Sequence, residues 1–249
     1  MTRLLALLMF LAPALSMASE PRLIPDVSER EVEIRYSFAG AELLLFGAVL
    51  YPDGKPSGDV DIAVVLKGPS QPMVVREKQK HWGIWVNADS TRMASVPGFY
   101  AIASTRPINT ILDARTAAIY ELGLPNIHLS PGEANASLGR FEAGLRDLQI
   151  RQRLFAEHPG TVELIDGALY RARLPVPARV PTGTFTAETF LIRHGRVITA
   201  ETRNIEIKKT GFEKFVADSA EDYPLAYGLF AVTLSLLLGW LAGILFKRD

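Results

Sequence analysis

LAYGLFAVTLSLLLGWLAGILF, Leu225 to Phe246, runs for 22 residues without a charge. At about 1.5 Å of rise per residue it reaches roughly 33 Å as a helix, against about 30 Å for a hydrocarbon core. A helix satisfies its own backbone groups in lipid, which an open strand does not. Lys247 and Arg248 follow at once, as a cytoplasmic stop, and Asp218, Glu221 and Asp222 precede it. Tyr223 and Tyr227 suit one membrane interface and Trp240 lies toward the other. The segment 225–246 is therefore expected to cross a membrane once, with 247–249 as a short tail inside. Within it Ala231, Ser235, Gly239 and Gly243 recur at every fourth position, and the last two form GxxxG. Small residues on one stripe let a second helix approach closely. That helix would belong to another copy of this chain or to a membrane-protein partner.

The N-terminus is apolar in a different way. Arg3 is followed by an apolar run from Leu4 to Leu15 and then Ser16-Met17-Ala18. A basic start, a short apolar run and small residues at the cleavage positions read as a signal peptide over 1–18. The two ends together predict a bacterial inner-membrane protein with its N-terminal domain in the periplasm and its C-terminus in the cytoplasm. Cysteine is absent, which excludes disulfides, thiolate metal sites and a cysteine nucleophile. The 27 basic and 27 acidic residues cancel, and this neutral balance argues against a nucleic-acid binder, which needs a basic surface to displace counterions.

The exported part reads as strands, then helices, then strands. Val32, Ile34 and Tyr36 alternate with charged neighbours, and Glu42 to Tyr51 is a longer apolar run closed by Pro52-Asp53-Gly54. Val60, Ile62, Val64 and Leu66 would share one face of a strand, and further short strands follow to Ser104. Thr110 to Leu122 and Leu138 to Glu157 carry helical spacing, with Phe141, Leu145, Leu148 and Phe155 as the second stripe. Ser130-Pro131-Gly132-Glu133 has capping-box spacing, which would start that helix earlier. Asp166-Gly167 and His194-Gly195 mark hairpins. The expected fold class is mainly β, an antiparallel immunoglobulin-like sandwich region or regions with a two-helix middle segment, plus one C-terminal transmembrane helix. The expected divisions are 19–108 (sandwich-like), 109–160 (helical), 161–210 (hairpins) and 211–224 (juxtamembrane, with Phe212, Phe215 and Val216 suiting an interfacial helix or a linker). The last strands either complete the first sandwich or form a second.

Several blocks carry a resemblance over nearly the whole mature chain: FAGAELLLFGAVL from Phe38, GIWVN from Gly83, VPGFYAIASTRPI from Val96, LPVP from Leu174, KKTGFE from Lys208 and PLAYGLFAV from Pro224. In these blocks and their order the sequence resembles the alphaproteobacterial transmembrane protein family. The resemblance implies a signal, an exported domain and one C-terminal helix. It supplies no established activity and no site residue. It also implies a membrane partner, a sulfite-exporter-type permease encoded beside family members.

No chemistry is spelled out by spacing. His81, His128, His158 and His194 never stand two, three or four apart, and there is neither a GxSxG elbow nor a phosphate-binding glycine loop. The expectation is no catalytic residue, no cofactor, no metal and no enzyme activity. His81-Trp82-Gly83-Ile84-Trp85 is the densest aromatic point, and Trp85 with Arg76 and Arg106 is the candidate ligand or partner surface. The reading is an accessory or interaction subunit of a membrane partner. A tethered periplasmic solute-binding module is the alternative, and a hydrolase built from residues distant in sequence is the second alternative.

Overall fold

The computed structural model describes residues 21–34, 40–54, 59–132, 137–209 and 212–245. The expected signal peptide, the cap residue Glu133 and the Lys247-Arg248 stop lie outside these residues, as do the side chains of Phe212 and Phe215. Half of the described residues are strand, so the protein is mainly β, as its alternating patterns require.

The core is one sandwich woven from both ends of the chain. Its first sheet has the order β1 (Arg22–Val27), β3 (Gly40–Leu50), β11 (Leu169–Pro177) and β10 (Val162–Ile165). Its second has the order β2 (Glu31–Ile34), β13 (Arg196–Lys209), β12 (Gly183–Arg193), β4 (Asp61–Lys67), β7 (Tyr100–Ser104) and β9 (Phe155–Pro159). Because β11 pairs with β3 and β12 with β4, the late hairpins complete the first sandwich instead of building another. Most neighbours are antiparallel, but β2 joins β13 and β9 joins β7 in parallel. The sheet is therefore mixed. The route from β7 to β9 passes through the helical segment, the kind of crossover a parallel neighbour needs.

Sheet faces follow from composition. Along β3 and β11 the inward positions Leu43, Leu45, Val49, Tyr170, Ala172, Leu174 and Val176 are buried and their neighbours are not. Gly47 interrupts β3 because a Cβ there would collide with the Ile24 carbonyl and the Tyr170 ring. The middle strands β4 and β7 do not alternate. Ala63 and Val65 are as buried as Ile62, Val64 and Leu66, and all of β7 is buried. A strand covered on both faces is apolar at every position. The first sheet covers one face. The helical segment covers the other, where Tyr120 meets Phe190 edge-on and Tyr100 reaches the Glu121 backbone.

That helical segment is shorter and more broken than its spacing predicts. In place of one helix over 110–122 there are α1 (Ile108–Ile111) and α2 (Ala114–Ile119). Asp113 stands between them in extended backbone and its carboxylate accepts from the Thr116 N–H at 2.7 Å, capping the second. A 3-10 turn, Leu124–Asn126, follows, and then α3 (Leu138–Arg151). α3 ends earlier than its periodicity suggests because Arg153 takes a left-handed backbone and Leu154 gives its carbonyl to the Tyr100 N–H. Phe155 is thereby drawn into strand β9. The buried stripe of α3 is Phe141, Leu145 and Gln149, while Leu148 is half exposed. Ser130-Pro131 forms no helix start. It is β8, a short strand that pairs with Met93 and Ser95.

A third, smaller sheet is a long hairpin, β5 (Ser70–His81) and β6 (Ile84–Pro97), with β8 (Ser130–Pro131) at its base. After β13 come α4 (Phe212–Asp222) and α5 (Pro224–Leu245).

Candidate functional site

α5 is the one helix among the described residues that is long and apolar enough to cross a membrane, over Pro224–Ile244, and none of that window is buried against the rest of the chain. Its polar side chains are satisfied locally. The Ser235 hydroxyl donates to the Ala231 carbonyl and the Thr233 hydroxyl to the Leu229 carbonyl, both at 2.8 Å. A Cβ added at Gly239 or Gly243 would touch nothing within 4 Å, so the small-residue face predicted from spacing stands open.

A second open surface lies on the outer face of the first sheet. Register places Ile24, Ala48, Leu169 and Ile165 side by side across all four strands. Ile24 is 49%, Leu169 53% and Ile165 43% exposed. Leu50 and Phe46 flank this row on β3. In the next row toward the Gly40 end Phe46 lies between the charged Asp26 and Arg171, with Glu163 beyond, and the Arg171 Nε donates to Glu163 at 2.6 Å. An apolar centre with a charged rim is the usual build of a protein interface.

The residues singled out from sequence do not converge. Arg76 and Trp85 stand on the β5–β6 hairpin, and Arg106 lies just past β7, at the opposite end of the second sheet from the hairpin base. Arg106 is committed to an ion pair. Its Nε donates to Asp61 at 2.9 Å, and the Thr105 hydroxyl donates to the same carboxylate at 2.7 Å. Burial works against the charge on Asp61, but the bonds from Arg106 and Thr105 outweigh it and hold the carboxyl below its ordinary range.

Two features were not legible in the sequence. One is the apolar row, which exists only once strands from both ends of the chain pair. The other is a cleft of about 590 Å³ between β7, β9 and the helical segment, floored by Ile102, Leu112, Ala117 and Leu122 and edged by Asn109, Asp113, Asn126 and His158. The His158 Nε2 is buried without a hydrogen-bond partner among the described residues, whereas Glu157 beside it accepts from the Leu124 N–H. Among the described residues no three His, Asp or Glu side chains gather as metal ligands would.

The fold and its surfaces thus define a β-sandwich protein fitted with one apolar C-terminal helix for membrane attachment. The chain belongs to the family described as Putative transmembrane protein (Alph_Pro_TM), whose model matches residues 22–248. No curated protein matches the sequence.

Proposed function

We propose that this protein is a non-enzymatic interaction subunit, tethered by α5 to the bacterial inner membrane and holding its sandwich in the periplasm against a membrane partner such as a permease. The apolar row Ile24–Ala48–Leu169–Ile165 carries the reading. Large aliphatic side chains lie in water on a face that no other element covers among the described residues, and grouped exposure of this kind marks interaction surfaces. The open glycine face of α5 supplies a second contact inside the bilayer. The leader read at 1–18 and the Lys247-Arg248 stop support the orientation.

The test is crosslinking in cells followed by purification from detergent. A discrete membrane protein should be recovered with the wild-type chain, and Leu169→Glu should remove it. Leu169 is half exposed, so the substitution should cost about 1 kcal/mol of stability and leave the sandwich folded. Recovery of the chain alone would reject the proposal.

The second reading, a tethered solute-binding module, is supported by the cleft beside His158. Its volume and its apolar floor with a few polar groups suit a small ligand. A thermal shift produced by a small-molecule library in the wild-type chain and lost in His158→Phe would favour it.

A further inference from the structure

The β5–β6 hairpin has a tip that the sandwich does not use. The Glu77 and Asp89 side chains, which face each other across the hairpin, both pair with Arg140 of α3, at 3.0 and 3.6 Å. Directly beyond this clamp the register slips by one residue, a bulge that lets the hairpin bend. From Lys78 to Ala88 almost every side chain is in solvent. Trp82 is fully exposed, Ile84 and Trp85 about two-thirds, Val86 two-fifths. Burying such side chains is worth roughly 1.5–3 kcal/mol each, so leaving this group in water is costly unless something covers it.

The turn itself is strained for the sake of the tryptophan. Trp82 has φ +52° and Gly83 φ +87°, the left-handed pair of a tight hairpin turn, where Asn or Asp normally precedes the glycine. A bulky residue in that region is an outlier, and such outliers gather where a side chain is needed for function.

The tip also has a sorted chemistry. Lys80 lies opposite Trp85 and Lys78 opposite Asn87, so both lysines share a face with that tryptophan, while Ile84 and Val86 occupy the other face with His81. No acid occurs between Lys78 and Ala88. Tryptophan, lysine and a few aliphatics at a protruding end match the boundary of an anionic bilayer, where indole rings sit at headgroup level and ammonium groups meet phosphate.

Topology supplies the direction. β13 ends at Lys209 and leads through α4 into α5. The same end of the second sheet carries Gly183, paired with Ile207, and Lys67, paired with Tyr100. The hairpin is rooted there. Ser70 and Pro97 pair at its base, Gly98 donates to the Pro69 carbonyl at 2.9 Å, and a Cβ on Gly183 would lie 3.2 Å from Pro69. The hairpin therefore springs from the edge at which the chain leaves for the membrane. α4 has 11 residues, about 16 Å of helix, and β5 has 12, about 40 Å of strand. The hairpin is long enough to cross the gap that α4 can open.

We infer that the hairpin tip, Lys78 to Ala88, is a second membrane contact: it rests in the headgroup layer of the bilayer that α5 crosses, Trp82 and Trp85 among the lipid carbonyls and Lys78 and Lys80 on anionic headgroups. This fixes the tilt of the sandwich over the membrane, which one helix on a short connector does not. The inference rests on α5 as an anchor and is independent of which partner the sandwich binds.

The chain has three tryptophans, Trp82, Trp85 and Trp240, so Trp240→Phe leaves only the tip as a fluorescent reporter. That full-length variant is reconstituted in vesicles of phosphatidylethanolamine and phosphatidylglycerol, with and without lipids brominated just below the headgroup. Retention after an alkaline carbonate wash reports the anchor separately. The expected result is blue-shifted emission, quenched by the brominated lipid and shielded from acrylamide. Lys78→Gln and Lys80→Gln should each weaken the lipid contact about fivefold, the worth of one basic residue near an anionic leaflet. Red-shifted emission quenched by acrylamide alone would overturn the inference. So would emission shielded from both quenchers, which would place the tip against protein, in a second copy of this chain or in a partner.

Discussion

Arg140, in the first turn of α3, reaches Glu77 of β5 at 3.0 Å and Asp89 of β6 at 3.6 Å, so one guanidinium ties both strands of the hairpin to the helix. The position matters more than the energy. Both side chains are partly solvated, and pairs of that kind contribute about 0–1 kcal/mol. What Arg140 provides is a joint, since it holds both strands at the bulge and leaves the distal part free.

Arg140→Ala should therefore leave the melting temperature of the full-length chain nearly unchanged. It should raise amide exchange between Arg76 and Ser90, where strand pairing is the remaining support, and leave β4 and β7 protected. Hydrogen exchange read by mass spectrometry decides this. Equal loss of protection in the core strands would mean that Arg140 supports the whole fold.

Trp82→Asn should stabilise the hairpin and remove its use. Asparagine tolerates the left-handed backbone that Trp82 is forced into, and about 1 kcal/mol of strain is relieved. Slower exchange at the tip together with loss of lipid contact is the expected pair of results. Slower exchange with lipid contact unchanged would assign that contact to Trp85 alone.

Tyr100 is a buried polar anchor between the second sheet and the helical segment. Its hydroxyl donates to the Glu121 carbonyl at 2.8 Å and accepts from the Gly123 N–H at 3.0 Å. Tyr100→Phe leaves two buried backbone groups without partners and should cost about 1–3 kcal/mol. The loss should appear as a lowered melting temperature of the detergent-solubilised chain. Burial also pushes the Tyr100 hydroxyl well above its ordinary value, and pushes that of Tyr170 up to about 12. The unfolded chain releases these protons first, near pH 10, so stability should fall as pH rises from about 10 through 12. Asp61 acts at the other limb. Its carboxyl is held below 3.8 in the folded chain, so its contribution is complete above that pH and is lost as pH falls below it. A melting-temperature scan across pH should show the alkaline limb reduced in Tyr100→Phe and the acid limb reduced in Asp61→Asn.

Gly239→Leu or Gly243→Leu should leave membrane insertion intact and weaken helix association several-fold in a bacterial two-hybrid assay. A leucine side chain blocks the close backbone approach that the open face allows. Association unaffected by both substitutions would show that α5 is an anchor and nothing more.

The apolar helix was legible in the sequence because a span needs only length and the absence of charge, and Leu225 to Phe246 has both. The strand class was legible for a similar reason, since the alternation of Val32 and Ile34 with charged neighbours is a property of consecutive residues. So were the turns at Asp166-Gly167 and His194-Gly195, which take the left-handed pairs their residue types favour. Helix lengths were not, because Asp113 and Arg153 break a pattern that remains periodic through them, and the sheet edge beside Tyr100 claims Phe155. Only tertiary structure decided that β11 lies on β3 and β12 on β4, joining both ends of the chain in one sandwich. Only that pairing sets Ile24, Ala48, Leu169 and Ile165 in one row, and only the sheet registers root the Trp82 hairpin at the edge where the chain departs for the membrane. The reason is physical. Period and charge act between near neighbours in the chain, whereas the pairings that join its two ends, β11 on β3 and β12 on β4, link residues more than a hundred positions apart.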